Sequence, residues 1–320
     1  MRCQNCFLEV PDGDYCDQCG AKVSAVKKEM TPSPPPPPEV PPTLISNKLP
    51  ATERYEVKKE IGRGGMSVVY EAIDHETGKK LAIKEYKEDI TLSRREMDKI
   101  IRHCEMVLVL EHKNIVKTYG YYIKDGKLRV IMELVEGKTV AQLLDEKTRL
   151  LPNEAIDIII PVCEAIGYSH ANNIIHRDLK PSNIMISNDG VVKVMDFDIA
   201  KRARETIASL SNMPDTSGTP IYMAPEQHLG KYNKQTDIYS AGAVLYEMLT
   251  GEFPFTGSGA DLIYQKEKNA FIRPNEISPD IPENLVNLIE RCLSYEIEKR
   301  PGSFEELKNA LLEIKNTIKT

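Results

Sequence analysis

No apolar run in the chain approaches the roughly 20 residues a membrane-spanning helix needs. The stretch "IDIIIPVC" is far too short, and the opening "MRCQNCFLEV" has no apolar signal core. Basic charge is not in surplus either: 42 Lys and Arg stand against 48 Asp and Glu, for a formal net charge of −6 and a pI near 5.7. That balance gives no footprint for bulk nucleic-acid binding, which calls for a basic surface. The expectation is a soluble, cytoplasmic protein with no membrane or nucleic-acid partner. What is there is a globular composition, 41% hydrophobic and 28% charged, and 320 residues suffice for about two domains.

Cysteine is scarce after the first twenty residues. Cys104, Cys163 and Cys292 stand singly among apolar neighbours and read as buried, inert thiols. The other four, Cys3, Cys6, Cys16 and Cys19, form C-x2-C-x9-C-x2-C with Gly20 directly behind. Two such knuckles can hold one Zn²⁺ tetrahedrally, and the trailing glycine relieves the tight turn. A segment as short as 1–23 cannot build a core, so metal binding would supply its folding energy. Two disulfides are the alternative, but without export no oxidising compartment maintains them. The segment resembles the small zinc ribbons at the ends of many microbial proteins, with a closed, structural site. Residues 24–52 carry "TPSPPPPPEVPP", which favours extended polyproline II and reads as a semi-rigid linker or as a ligand for a PxxP-reading domain.

From about Tyr55 the periodicity changes. "YEVKKEIGRGG", "MSVVYEAID", "KLAIKEYK" and "KLRVIMELV" alternate as strands do. After Thr139 the patterns turn helical, in "VAQLLDEKTRLL", "PNEAIDIIIPVCEAIGYSHANN", "TDIYSAGAVLYEMLTG" and "PENLVNLIERCLS". Strands followed by helices predict an α+β fold of two lobes, over residues 53–316.

Between the first two strand patterns lies Gly62-Arg63-Gly64-Gly65-Met66-Ser67-Val68-Val69. Its glycines permit a tight hairpin whose N–H groups can approach phosphate, although a glycine-rich hairpin is often only a turn. No GK[ST] follows, so it is not a Walker A loop, and a Rossmann fingerprint would need a helix next. Lys84 follows in "LAIK", then His176-Arg177-Asp178-Leu179-Lys180-Pro181-Ser182-Asn183, then Asp196-Phe197-Asp198, then Ala224-Pro225-Glu226. In this order and spacing the motifs resemble those of protein kinases of the Ser/Thr type, closest to the bacterial branch.

The resemblance implies ATP and Mg²⁺ as cofactors and a role for each matching residue. Gly62, Arg63, Gly64, Gly65, Met66, Ser67 and Val68 would cover the phosphates, with Ser67 in place of the last glycine. Ile61, Val69 and Ala82 would sandwich the adenine, behind Met132 as gatekeeper. Glu133 and Val135 would offer hinge backbone hydrogen bonds to the purine. Lys84 would hold the α- and β-phosphates, Asp178 would accept the hydroxyl proton, and Lys180 would steady the transferring phosphoryl group. Asn183 and Asp196 would chelate Mg²⁺. Thr219 would belong to the substrate-docking segment and Arg300 would pair with Glu226. Asp237 opens a helix, where a bare N-cap is the alternative. Thr206, Ser209, Ser211, Thr216 and Ser217 are candidate phosphorylation sites, with Arg177 as the cation to receive a phosphate. Partners would be proteins with Ser or Thr hydroxyls, and a second copy for trans-autophosphorylation.

Two positions depart from the family pattern. The glutamate that pairs with the strand lysine is expected at His103, counting forward from Lys84 or back from His112-Lys113-Asn114. Glu96, Glu105 or no carboxylate at all would then serve Lys84. Asp198 stands where a glycine is expected; a left-handed backbone there costs an aspartate about 1–2 kcal/mol. It reads as a retuning of metal affinity or as a tolerated variant. An active Ser/Thr protein kinase is the main reading. A nucleotide-binding pseudokinase scaffold is the alternative, and a nucleic-acid-binding ribbon regulated by the kinase domain is a third.

Overall fold

The computed structural model describes residues 51–64, 67–87, 104–197 and 220–318, with the backbone alone for 51 and 52. The chain divides into two units, Met1–Thr43 and Leu44–Thr320, and the described residues all belong to the second. The four N-terminal cysteines lie outside them, as does the proline-rich segment except its last two positions.

A single turn, α1 (Ala51–Arg54), leads into an antiparallel sheet of β1 (Tyr55–Arg63), β2 (Ser67–Asp74), β3 (Lys80–Tyr86), β4 (Thr118–Lys124) and β5 (Lys127–Glu133), in the order β1-β2-β3-β5-β4. The β4–β5 turn is Asp125-Gly126, with φ of 53° and 72°. This is the two-residue hairpin whose twist matches its strands, and Asp-Gly tolerates those angles. Register aligns Val69, Lys84 and Val130 across β2, β3 and β5, and aligns Glu71, Ala82 and Met132 in the next row. Side chains two residues apart share a face. Val69, Ala82, Lys84, Val130 and Met132 therefore project from one side of the sheet.

A small second sheet, β6 (Gly137–Thr139), β7 (Ile184–Ser187) and β8 (Val192–Val194), introduces the helical part. Helix α2 (Val140–Lys147) opens on a capping box: Gln142 N–H donates to Thr139 Oγ1 (3.1 Å) and Thr139 N–H to Gln142 Oε1 (2.9 Å). The helical pattern in the sequence runs on to Leu151, but the helix ends at Lys147. Thr148 turns to a φ of 65°, and the Leu150 N–H donates instead to Met248 O at 2.6 Å. Helix α3 (Pro152–Ala171) starts with Pro at its first position. It buries Ile156, Ile159, Cys163, Ile166 and His170 along one stripe. Pro161 inside it removes one backbone bond, a loss of about 3 kcal/mol, and the helix persists because burial on several sides outweighs that loss.

Helix α4 (Lys234–Thr250) is capped by Asn233, whose Oδ1 accepts from Thr236 N–H at 3.0 Å, and closes on Gly251 at φ 75°. Helices α5 (Gly259–Glu267), α6 (Pro274–Ile277), α7 (Glu283–Cys292) and α8 (Phe304–Ile318) follow. Cys104, Cys163 and Cys292 are buried and unpaired, and burial pushes the Cys104 and Cys292 thiols up to about 12. Among the described residues no helix is long and apolar enough to cross a membrane.

Candidate active site

The loop between α3 and β7 carries His176 to Asn183, and its shape is imposed from below by Asp237. That carboxylate, fully buried in the first turn of α4, accepts from His176 N–H (2.8 Å), Arg177 N–H (2.8 Å) and His170 Nε2 (2.7 Å). Burial pushes the Asp237 carboxyl up, but the hydrogen bond and charge of His170, with the His176 charge and the Arg177 N–H, together hold it below the ordinary carboxylate range. Asp237 is thus not the N-cap of its helix; Asn233 does that work, which leaves the aspartate for the loop. Arg177 takes the left-handed backbone at φ 70°, its carbonyl accepts from Gln227 Nε2 (2.9 Å), and its guanidinium lies over the Tyr232 ring at 4.3 Å.

Asp178 comes next. Lys180 Nζ lies 2.8 Å from its Oδ2. Asn183 Nδ2 donates to the Asp178 carbonyl (2.7 Å) and, at 3.2 Å, to its carboxylate. With that amide nitrogen engaged, Asn183 has its Oδ1 left to present as an acceptor. Asn183 O accepts from Met195 N–H at 2.9 Å, which sets Asp196 beside this loop.

Asp196 is held from three sides. Val194, two residues before it, exchanges backbone bonds with the segment behind the helical residues 104–108: Val116 N–H to Val194 O (2.9 Å) and Val194 N–H to Asn114 O (2.8 Å). His176 Nε2 donates to Met195 O (3.0 Å), while its Nδ1 accepts from Asp178 N–H (3.3 Å). Lys84, 7% exposed on β3, places its ammonium 2.9 Å from Asp196 Oδ1. Burial raises the Asp196 pKa, and the Lys84 charge and hydrogen bond, with His176 and Lys180, bring it below the ordinary carboxylate range. Asp196 itself has a φ of 61°. Asp198, where a left-handed backbone would be a cost, lies outside the described residues. Phe197 is buried against the His176 ring, with centroids 4.7 Å apart.

A pocket opens beside Lys84 and Asp196, lined by Tyr86, Val107, Val116, Val130, Met132 and Phe197 among others. Met132 is one of its lining residues, while Ile61 is exposed. Gly62 pairs with Val69 across the β1–β2 hairpin, and Gly64 N–H donates to Ser67 O (2.9 Å). Gly65 and Met66 lie outside the described residues. Glu133, expected to offer backbone hydrogen bonds to a purine, has its N–H committed to Lys117 O (2.8 Å). Its carboxylate accepts from Lys117 N–H (3.2 Å) and from Lys193 Nζ (3.0 Å). Hard oxygen donors at Asn183 and Asp196 suit Mg²⁺, which takes one or two protein oxygens and completes its shell with phosphate and water.

The lower part of the molecule holds Glu226 and Arg300 in a buried bidentate pair (2.8 and 3.0 Å), with Thr236 Oγ1 donating to Glu226 at 3.0 Å. Glu105, one candidate partner of Lys84, is exposed, whereas Lys84 is buried. Glu96 and His103 lie outside the described residues, as do Thr206, Ser209, Ser211, Thr216, Ser217 and Thr219. The sequence reading did not single out His170 or the pocket wall of Tyr86, Val107, Val116 and Thr118. His170 falls on the buried stripe of α3, a signal that could have pointed to it.

Residues 55–312 match the protein kinase domain family. A probable serine/threonine-protein kinase of Clostridium acetobutylicum is 35% identical over 276 residues, 86% of this chain and 41% of that protein. Serine/threonine-protein kinase PknB of Mycobacterium tuberculosis is 34% identical over 271 residues, 83% of this chain and 43% of that one. The chain spans about two fifths of the length of these relatives. Among solved structures, Rad53 1–466 in complex with AMP-PNP aligns with a TM-score of 0.69 at 28% identity, over 82% of this chain and 66% of that one. The match runs through the β3 lysine, the His176–Asn183 loop and the Glu226–Arg300 pair alike, and the chain belongs to the protein kinase domain family.

Proposed function

We propose that the chain transfers the γ-phosphate of ATP to Ser and Thr hydroxyls of proteins, including its own segment between Phe197 and Ala224. The observation that carries this reading is the Asp178–Lys180–Asn183 cluster, joined to the Lys84–Asp196 ion pair by one backbone hydrogen bond, Met195 N–H to Asn183 O. Asp178 orients the substrate hydroxyl and takes its proton, a role worth roughly 10²–10⁴-fold. Lys180 stands at the carboxylate edge, where phosphoryl charge develops, and Lys84 offers the α- and β-phosphates a cation. Mg²⁺ held by Asn183 Oδ1 and Asp196 would neutralise phosphate charge. Gly62, Gly64 and Gly65 cover the phosphates, and Val69, Ala82 and Met132 meet the purine from the sheet. The Ser/Thr class is supported by the named relatives, which are serine/threonine-protein kinases.

Autophosphorylation with labelled ATP and Mg²⁺, wild type beside Asp178→Ala, tests the reading. Label on the wild type alone is the expected result. No label on either, with thermal stabilisation by ATP, would instead mark a nucleotide-binding scaffold. Mixing wild type with a tagged Asp178→Ala chain reads transfer between copies. We further infer that residues 1–23 are a zinc ribbon on Cys3, Cys6, Cys16 and Cys19, that 24–52 is a linker and that 53–316 is the kinase domain. Zinc content of Cys3→Ser/Cys6→Ser, expected to fall to background, tests the ribbon.

A further inference from the structure

Lys266 of α5 is fully buried, 0% exposed, which is rare for a lysine unless its charge is paired. Among the described residues no carboxylate pairs with it. Its Nζ instead donates to the main-chain carbonyls of Pro220 (2.5 Å) and Met223 (2.7 Å), and lies 3.4 Å from His228 Nε2. An ammonium has three donors, and three acceptors surround this one. Burial and the Lys266 charge hold His228 down to about 4, so its ring is neutral and can accept. Burial likewise pulls Lys266 down to about 7, against the opposing charge of Glu226. A methionine would fill the same volume without burying an ammonium. What lysine adds is hydrogen bonds to the backbone just ahead of Ala224-Pro225-Glu226.

That backbone is held from inside at a third point as well. Tyr222 O accepts from Ser240 Oγ of α4 (2.9 Å), and the Tyr222 hydroxyl donates to Glu247 Oε2 (2.6 Å). The carbonyls of residues 220, 222 and 223 are thus all turned toward α4 and α5, and Lys266 takes two of them. This fixes which edge of the turn faces outward. We propose that Lys266 is a positioning residue for the protein substrate, holding the turn at residues 220–223 in the shape against which the segment around the accepting hydroxyl docks. The inference rests on the kinase reading above, together with the expectation that Thr219, directly ahead of this turn, belongs to the substrate-docking segment.

The test compares full-length wild type, Lys266→Met and Lys266→Gln, with the Asp178→Ala chain as protein substrate. Methionine keeps about the volume and loses the donors; glutamine, one atom shorter, keeps two N–H donors without the charge. The KM for protein substrate should rise at least about tenfold in K266M and recover to within about threefold in K266Q. The KM for ATP should move by less than about twofold in both. Equal protein KM in wild type and K266M overturns the proposal, and so does equal impairment of both KM values in the two variants, which is the mark of simple packing. Should K266M not fold, hydrogen exchange on the wild type decides. The amides of residues 221–224, 226 and 227 should be as protected as those of α5, and fast exchange there overturns the proposal. A wild type inactive on every substrate removes the underlying reading instead, an outcome distinct from these.

Discussion

A carboxylate buried without partners costs several kcal/mol, and Asp237 offsets that cost with donors from His170, His176 and Arg177. Asp237→Asn turns an amide NH2 toward some of those donors. We expect a loss on the order of 3–5 kcal/mol in urea unfolding, and a fall in turnover, because Asp178 follows directly on Arg177. Acid should act through the same group. The folded-state pKa values of Asp237 and Asp196 are both depressed below the unfolded value of 3.8. Each therefore contributes stability that is present above that value and lost as pH falls through the folded one. A pH titration followed by near-UV circular dichroism should show stability falling below about pH 4, less steeply in Asp237→Asn than in wild type. The left-handed backbone at Arg177 and Asp196 costs about 1–2 kcal/mol at each. Arg177 directly precedes Asp178 and Asp196 pairs with Lys84, each held in place by the hydrogen bonds around it.

At the scale of elements, spacing between helices is set by what is missing as much as by what is present. Gly242 of α4 faces Cys292 of α7 so closely that an added Cβ would lie 2.5 Å from the Cys292 Cβ. Gly242→Ala should destabilise the fold by about 1–3 kcal/mol, read as a lower urea midpoint with an unchanged slope. The cap of α4 is independent of that contact: Asn233→Ala should cost about 1 kcal/mol by the same measurement. Strand register does comparable work in the sheet. A one-residue slip of β3 would turn Lys84 to the opposite face, away from Asp196. The alternating pattern of "KLAIKEYK" announced the strand and the lysine's place on it, whereas its ion partner depended on β8 arriving alongside.

Across the whole molecule, Glu226 and Arg300 tie the segment ahead of α4 to the chain that follows α7, inside the core. Arg300→Met leaves Glu226 buried and unpaired, with an expected loss of about 3–5 kcal/mol; the double variant with Glu226→Gln should lose less, in the same unfolding experiment. Residues 53–316 made as a fragment should fold and bind an ATP analogue, as a thermal melt with and without analogue would show. The pair itself was legible in the sequence, because both residues sit in family motifs. Lys266 was not: nothing in "LIYQKEKN" marks it as buried, since its acceptors are carbonyls of a distant turn.

The sequence by itself determined the order of strands before helices, the family motifs and the identities of Lys84, Asp178, Lys180, Asn183 and Asp196 as the residues to watch. Such features are local: alternation, helical spacing and runs such as HRDLKPSN are read from neighbours in the chain. Only the tertiary structure decided that His170 and Asp237 brace the His176–Asn183 loop, that Asp196 takes a left-handed backbone, and that a buried lysine holds the turn before Ala224. Those outcomes depend on hydrogen-bond partners 19 to 67 residues apart, and their donors meet only when burial forces every polar group to find an acceptor.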